Sequence, residues 1–173
     1  MLMANTSQAE LRNIVMALKS EFSVKVNWEP NKILGINLQY DRVKGITILH
    51  QRDKIHELED LIDIEYNNNV KLPSMPIDNS VAWYKSNNKH DVPLNEEESS
   101  KYRTLLGKLM YIMTATRPDL CFAVSLLSRF NQNPLRKHMY GIVRTIKYLI
   151  ATSDKQITFK RHPMEMYKLV AYI

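Results

Sequence analysis

Residues 101–119, KYRTLLGKLMYIMTATRPD, decide how the chain is read. From Tyr102 to about Thr114 the stretch has the period of an α-helix. Tyr102, Leu105, Leu106, Leu109, Met110 and Met113 fall on one broad arc. Lys101, Thr104, Lys108 and Tyr111 line the other side, with Gly107 beside them. A glycine inside a helix costs about 1 kcal/mol against alanine, so it asks for a reason. The usual reason is close approach of another helix or of a ligand's backbone. Two readings of the outer face stand side by side. One is the solvated face of a core helix. The other is a surface laid along a phosphate backbone.

Working outward, carboxylates precede this helix. Asn95–Ser99 (NEEES) suits a first turn, where acidic side chains favour the helix dipole. After it, Arg117-Pro118-Asp119 restarts the chain, because proline suits the first position of a new helix. Asp119 at that start has a structural reading. Leu120, Ala123, Val124, Leu127 and Phe130 make the second helix's stripe, and Asn133-Pro134 ends it. A third helix is expected from about Arg136 to Ala151. Met139, Ile142, Val143, Ile146 and Leu149/Ile150 face inward, while Lys137, Tyr140, Arg144 and Lys147 share an outer face. Gln156–Lys160 and Lys168–Ile173 read as strands.

The N-terminal part has a different texture. Ser7 and Glu10 have capping-box spacing, and Leu11, Ile14, Val15, Leu18 and Phe22 carry a helix to about Phe22. Ser23–Trp28 alternates like a strand. Ile33–Tyr40, a polar loop Asp41–Gly45 and Ile46–Leu49 read as a β-hairpin. Gln51–Ile62 is a helix with Ile55, Leu58, Leu61 and Ile62 inward. Residues 67–94 are rich in Asn, Pro, Asp and Ser and read as a long irregular connection.

Composition bounds the class. The 173 residues are 45% hydrophobic and 24% charged, ordinary values for a globular chain. Net charge is +6, unevenly spread. Residues 1–100 hold 11 Lys and Arg against 15 Asp and Glu; residues 101–173 hold 13 against three. The basic half could be a footprint for nucleic acid or could dock on an acidic partner. The lone cysteine, Cys121, excludes an internal disulfide framework and, in an apolar helical stretch, reads as a buried structural thiol. No apolar run reaches bilayer length and no signal-peptide pattern opens the chain. The expectation is an intracellular protein, cytoplasmic or nuclear, without a membrane partner.

Catalytic chemistry finds little to work with. Asp41, Asp53, Asp60 and Asp63 sit in loop or solvated-helix settings. His50, His56, His90, His138 and His162 lack metal-ligand spacing, and His138, at a helix start, suits a hydrogen-bonding role. Ser125 and Ser128 have no elbow glycines. No phosphate-binding glycine loop occurs.

The segments ILGINLQYDRVKGITILHQ, VPLNEEESSKYRTLLGKLMYIMTATRPDLCFAVSLLSRFNQNP and HMYGIVRTIKYLIATSD resemble the Pol polyprotein of copia-type LTR retrotransposons. Tyr102, Arg103, Gly107, Leu109, Met110, Tyr111, Thr116, Arg117, Pro118, Asp119, Ser128, Arg129, Phe130 and His138 all match, and the resemblance covers essentially the whole chain. It implies an α+β fold. Residues 1–66 would be the end of a palm subdomain, a helix plus a primer-grip-like hairpin. Residues 67–94 would be a linker, 95–152 a helical thumb and connection, and 153–173 the start of a ribonuclease H-like domain.

The resemblance also places the chain after the Tyr-Val-Asp-Asp turn of the polymerase and before the first acidic residues of ribonuclease H, so neither catalytic motif is expected in it. The Mg²⁺ of the parent RNA-directed DNA polymerase would need no ligand here. The implied role is to hold an RNA–DNA or DNA duplex, weakly and without sequence preference. Lys101, Arg103, Gly107, Lys108, Arg117, Arg144 and Lys147 would form the contact surface, and the missing palm, fingers and ribonuclease H parts would be its protein partners. Departures from the family pattern occur at Met139-Tyr140, Arg144–Lys147 and Ile150-Ala151-Thr152, and fit a degenerate copy or a partial gene. A domesticated protein-interaction module and a genomic relic are the other readings.

Overall fold

The computed structural model describes residues 3, 7–62, 72–78 and 91–161. Its contacts divide the chain into two units, residues 1–31 and 32–173. The first contains helix α1, Gln8–Glu21, whose N-terminal amides are met by the Ser7 side chain, with Glu10 N donating to Ser7 Oγ at 3.4 Å. The strand expected over Ser23–Trp28 does not form. Asn27 instead turns the chain, its Oδ1 accepting from Glu29 N at 3.2 Å. No strand pairs with this segment among the described residues, and alternation without a neighbour does not make a sheet.

Among the described residues of the second unit the strands are β1 (Lys32–Ile33), β2 (Ile36–Asp41), β3 (Ile46–His50) and β4 (Ile157–Lys160). They form one antiparallel sheet in that order. The expected hairpin is present, with Asp41 opposite Ile46 and Asn37 opposite His50. Its first strand is not continuous, however. Leu34 and Gly35 take φ of 50° and 75° and fold the chain back after Ile33. Two successive left-handed residues are what a two-residue hairpin turn with the sheet's own twist requires. Leu34 therefore stands at a turn apex, 83% exposed, rather than on a strand face. The strand expected at Gln156–Lys160 pairs with β3, bringing the C-terminal segment onto the hairpin. The strand expected at Lys168–Ile173 lies outside the described residues.

Four helices complete this unit among the described residues: α2 (Arg52–Glu59), α3 (Glu96–Ala115), α4 (Cys121–Ser128, entered through a 3-10 turn at Pro118–Leu120) and α5 (Arg136–Ala151). The first turn of α3 is closed by a reciprocal capping box. Asn95 Oδ1 accepts from Glu98 N and Glu98 Oε2 accepts from Asn95 N, both at 2.9 Å. The buried arc of α3 is Tyr102, Leu105, Leu106, Leu109 and Ile112. Ile112 takes the place expected for Met110, which is 45% exposed. At about 100° per residue Ile112 falls beside Leu105, whereas Met110 lies about 40° beyond Leu106, past the edge of the buried arc. These side chains share one core with Ile55 and Leu58 of α2, Val124 and Leu127 of α4, and Met139, Ile142 and Ile146 of α5. Each such side chain, fully buried, contributes about 1.5–3 kcal/mol. The hairpin, α2 and the later helices thus lie in one contact unit, residues 32–173.

Part of the expected linker is also packed. Ile77 is buried with Ala123 and Leu126, and Pro76 O accepts from Thr145 Oγ1 at 3.2 Å. Residues 92–94 pair with 134–136 through Leu94 N to Pro134 O and Arg136 N to Val92 O. Two further expectations change. Leu61 faces outward. Cys121 is exposed, not a buried thiol, because it opens α4 on the side away from the stripe of Leu120, Ala123, Val124 and Leu127. His138 does bind at the start of α5, its Nδ1 accepting from Leu135 N at 3.0 Å while the ring stacks on Phe130. No helix among the described residues is long and apolar enough to cross a membrane.

Arg117 ties these pieces together. Its side chain is 2% exposed. Nε and Nη2 donate to the two oxygens of Asp119 at 2.9 and 2.8 Å. Nη1 donates to Thr152 O at 3.0 Å, and Nη2 also to Thr152 Oγ1 at 2.7 Å. Asp119 accepts in addition from Tyr148 Oη at 2.8 Å. The α3–α4 turn is thereby fastened to the end of α5. Burial pushes the Asp119 carboxyl up, but the hydrogen bonds from Arg117 and Tyr148 and the charges of Arg117 and Lys155 outweigh it and hold the group below the usual carboxylate range.

Removing one partner of a buried charge pair leaves the other uncompensated. Arg117→Ala is expected to destabilise the second unit by about 3–5 kcal/mol in urea unfolding. Arg117→Lys keeps the charge without the fork and is expected to fall well short of the parent. A carboxyl depressed in the folded state stabilises above its unfolded pKa. That stability is expected to drain away as pH falls from about 4 through the depressed value. In Asp119→Asn this segment of the stability–pH curve should flatten.

Candidate nucleic-acid interface

The outer face of α3 meets the hairpin turn across a cleft of about 620 Å³. One wall is the α3 surface at Thr104, Gly107, Lys108 and Tyr111. The other is the Leu34–Gly35 turn with Lys54 and Glu57 of α2. Two ties set the separation of the walls. Tyr111 Oη donates to Leu34 O, joining α3 to the turn. Asp53 accepts from Lys32 Nζ at 2.9 Å and from Asn37 Nδ2 at 3.2 Å, joining α2 to β1 and β2. The bond from Lys32, then that from Asn37, holds the Asp53 carboxyl below its ordinary range.

Gly107 is exposed in mid-helix, and a Cβ placed on it meets nothing within 4 Å. Its smallness serves no contact among the described residues. The space it leaves opens into the cleft. Gly35 is the opposite case: a Cβ there would lie 2.6 Å from Lys54 Cε, and its φ is +75°. Lys54 lays its aliphatic stem across this glycine.

The expected contact residues separate into three groups. Gly107 and Lys108 line the cleft, and Lys108 has no ion-pair partner among the described residues. Arg103 and Lys101 lie on the same helix outside the cleft lining, Arg103 exposed and one turn before Gly107, Lys101 half-buried. Arg144 and Lys147 are half-buried on α5 and do not line the cleft. Arg117 is withdrawn from the surface altogether, since its donors are consumed by Asp119 and Thr152 inside the fold. Lys54 is a lining cation that sequence reasoning did not single out. Its signal is the glycine at 35, which only the folded chain brings beneath it.

Among the described residues no three His, Cys, Asp or Glu side chains converge as a metal site would require. What the cleft offers is backbone, hydroxyls, a phenol and cations around an open glycine. That set offers positive charge and hydrogen-bond donors of the kind a phosphate or sugar edge would take.

The sequence is similar to retrotransposon proteins. It is 26% identical over 160 residues to the transposon Ty5-1 protein of Saccharomyces cerevisiae, covering 92% of this chain and 49% of that protein. It is 28% identical over 147 residues to the retrovirus-related Pol polyprotein from transposon TNT 1-94 of Nicotiana tabacum, covering 82% of this chain and 10% of that one. It is 30% identical over 151 residues to the Pol polyprotein from transposon RE1 of Arabidopsis thaliana, covering 87% and 10%. These relatives support a retrotransposon Pol origin. The chain spans about half the length of the yeast relative and about a tenth of the plant polyproteins. No family model matches the chain, and no solved structure matches it.

Because Gly107 is exposed, helical and unobstructed, Gly107→Ala is expected to stabilise the fold by about 0.5–1 kcal/mol. Urea unfolding measures it. A loss of stability would mean that the open space at Gly107 is filled in solution.

Proposed function

We propose that this chain is a piece of a copia-type reverse transcriptase that holds the primer–template duplex. The hairpin would act as the primer-grip-like element and α3 as the thumb helix, with the duplex backbone seated against Gly107. The observation that carries the reading is the cleft itself. The two elements that the family resemblance assigns to the duplex face each other across it, around a glycine whose space no residue of the described chain uses.

Lys101, Arg103 and Lys108 would meet phosphates, positioning the duplex without reading its sequence. Arg144 and Lys147 would extend the basic track along α5. The sequence carries no Tyr-Val-Asp-Asp turn, so the fragment binds and does not polymerise. Mg²⁺ chemistry would belong to the parent polyprotein, whose palm, fingers and ribonuclease H parts would complete the enzyme.

Binding of an RNA–DNA hybrid followed by fluorescence anisotropy tests this. With the three α3 cations engaged, log K should fall with log salt at a slope of at least about −2.7. The affinity should then drop at least about 40-fold between about 50 and 200 mM salt. Lys101→Glu and Lys108→Glu should each weaken binding and flatten the slope, equally for hybrids of unrelated sequence. Salt-insensitive affinity, or charge reversals without effect, contradicts the proposal and favours a protein partner.

A further inference from the structure

We propose that Lys54 is a second phosphate-holding cation of this cleft, kept in reserve by Glu57, and that the duplex displaces the Glu57 carboxylate from Lys54 when it binds. The inference rests on the duplex reading above and adds a residue and a competitor to it.

The geometry of the α2 wall carries it. Lys54 is half-buried, its stem pinned over Gly35, so its ammonium is directed by the turn rather than free to sweep solvent. Its partner is Glu57, three residues on, with Nζ to Oε2 at 3.4 Å. This is a loose contact. The Glu57 side chain is 57% exposed, and exposed ion pairs of this kind contribute little. Asp53, one turn earlier on α2, is already held by Lys32 and Asn37. Glu57 is thus the one carboxylate among the residues lining the cleft.

Across from it stands Lys108, which no carboxylate neutralises among the described residues. A phosphate entering between the walls meets Lys108 directly and Lys54 by exchange. A charge-assisted bond to phosphate is stronger than a loose exposed ion pair, and release of condensed counterions adds to the gain. Glu57 opposes the exchange twice, by holding Lys54 and by repelling the incoming charge. It lowers the affinity of a site that has to let a duplex slide.

The test compares three forms of the full chain on the same RNA–DNA hybrid. Glu57→Gln removes the competitor and keeps the shape. Lys54→Met removes the charge and keeps the stem over Gly35, so the fold is retained; the urea midpoint of each variant verifies that. Glu57→Gln is expected to bind about two- to fivefold more tightly at low salt, a gain that fades as salt rises. Lys54→Met is expected to weaken binding and reduce the salt slope by about 1. If the parent chain binds hybrid but Glu57→Gln binds no more tightly, or Lys54→Met leaves affinity and slope unchanged, this proposal is overturned and the duplex reading stands. If the parent chain binds no hybrid at low salt, both fall.

Discussion

A guanidinium almost without access to water holds the helical part of this fold in register. Arg117 follows the last turn of α3, and Asp119 sits two residues later in the 3-10 turn that opens α4. The fork between them closes that corner. The bonds from Arg117 to Thr152 carry the same group to the end of α5, 35 residues away. Taking such a charge out of water is costly unless its donors are met. Here Nε, Nη1 and Nη2 each find an acceptor, so the arrangement selects one relative placement of α3, α4 and α5. Tyr148 and Lys155 finish the network, with Lys155 Nζ donating to Tyr148 Oη at 2.9 Å. Just beyond it the chain turns into β4 and joins β3.

That placement is what builds the cleft. With α3 fixed by its Tyr102–Ile112 arc, its opposite side points toward the Leu34–Gly35 turn. Thr116 Oγ1 donates to Gln51 Oε1 at 2.9 Å inside the core, tying the end of α3 to the junction of β3 and α2. The Asp53 and Tyr111 bonds then set the turn against the helix. The walls belong to parts of the sequence about seventy residues apart, and neither wall alone would hold a ligand.

Much of this was legible before any coordinates. The α3 and α5 helices announce themselves by period, the hairpin by its polar loop, and the first turn of α3 by the carboxylates that follow Asn95. The misreadings have physical causes. Alternation runs on through Leu34 and Gly35, and a Leu-Gly pair is a weak turn signal beside Asn-Gly, so the fold-back was hidden. Arg117 beside a proline and an aspartate looks like surface charge; its burial depends on Thr152, which no local pattern reaches. Cys121 has apolar neighbours but opens its helix on the outer side. Lys54 looks like any cation on a solvated helix until Gly35 is placed beneath its stem. The cleft pair Gly107 and Lys108 was visible from period alone, because a glycine and a cation on one helical face need no tertiary knowledge to find.

The central claim is that a nucleic-acid duplex occupies the space between the Leu34–Gly35 turn and the Gly107 face of α3. Lysine footprinting reads this directly: the chain is acetylated at low salt with and without an RNA–DNA hybrid, and the modified lysines are quantified by mass spectrometry. The expected result is protection of Lys101, Lys108 and Lys54, with Lys44 in the hairpin loop at the far end of β2 unchanged. Uniform protection of all lysines, or protection that omits Lys108, would contradict the account.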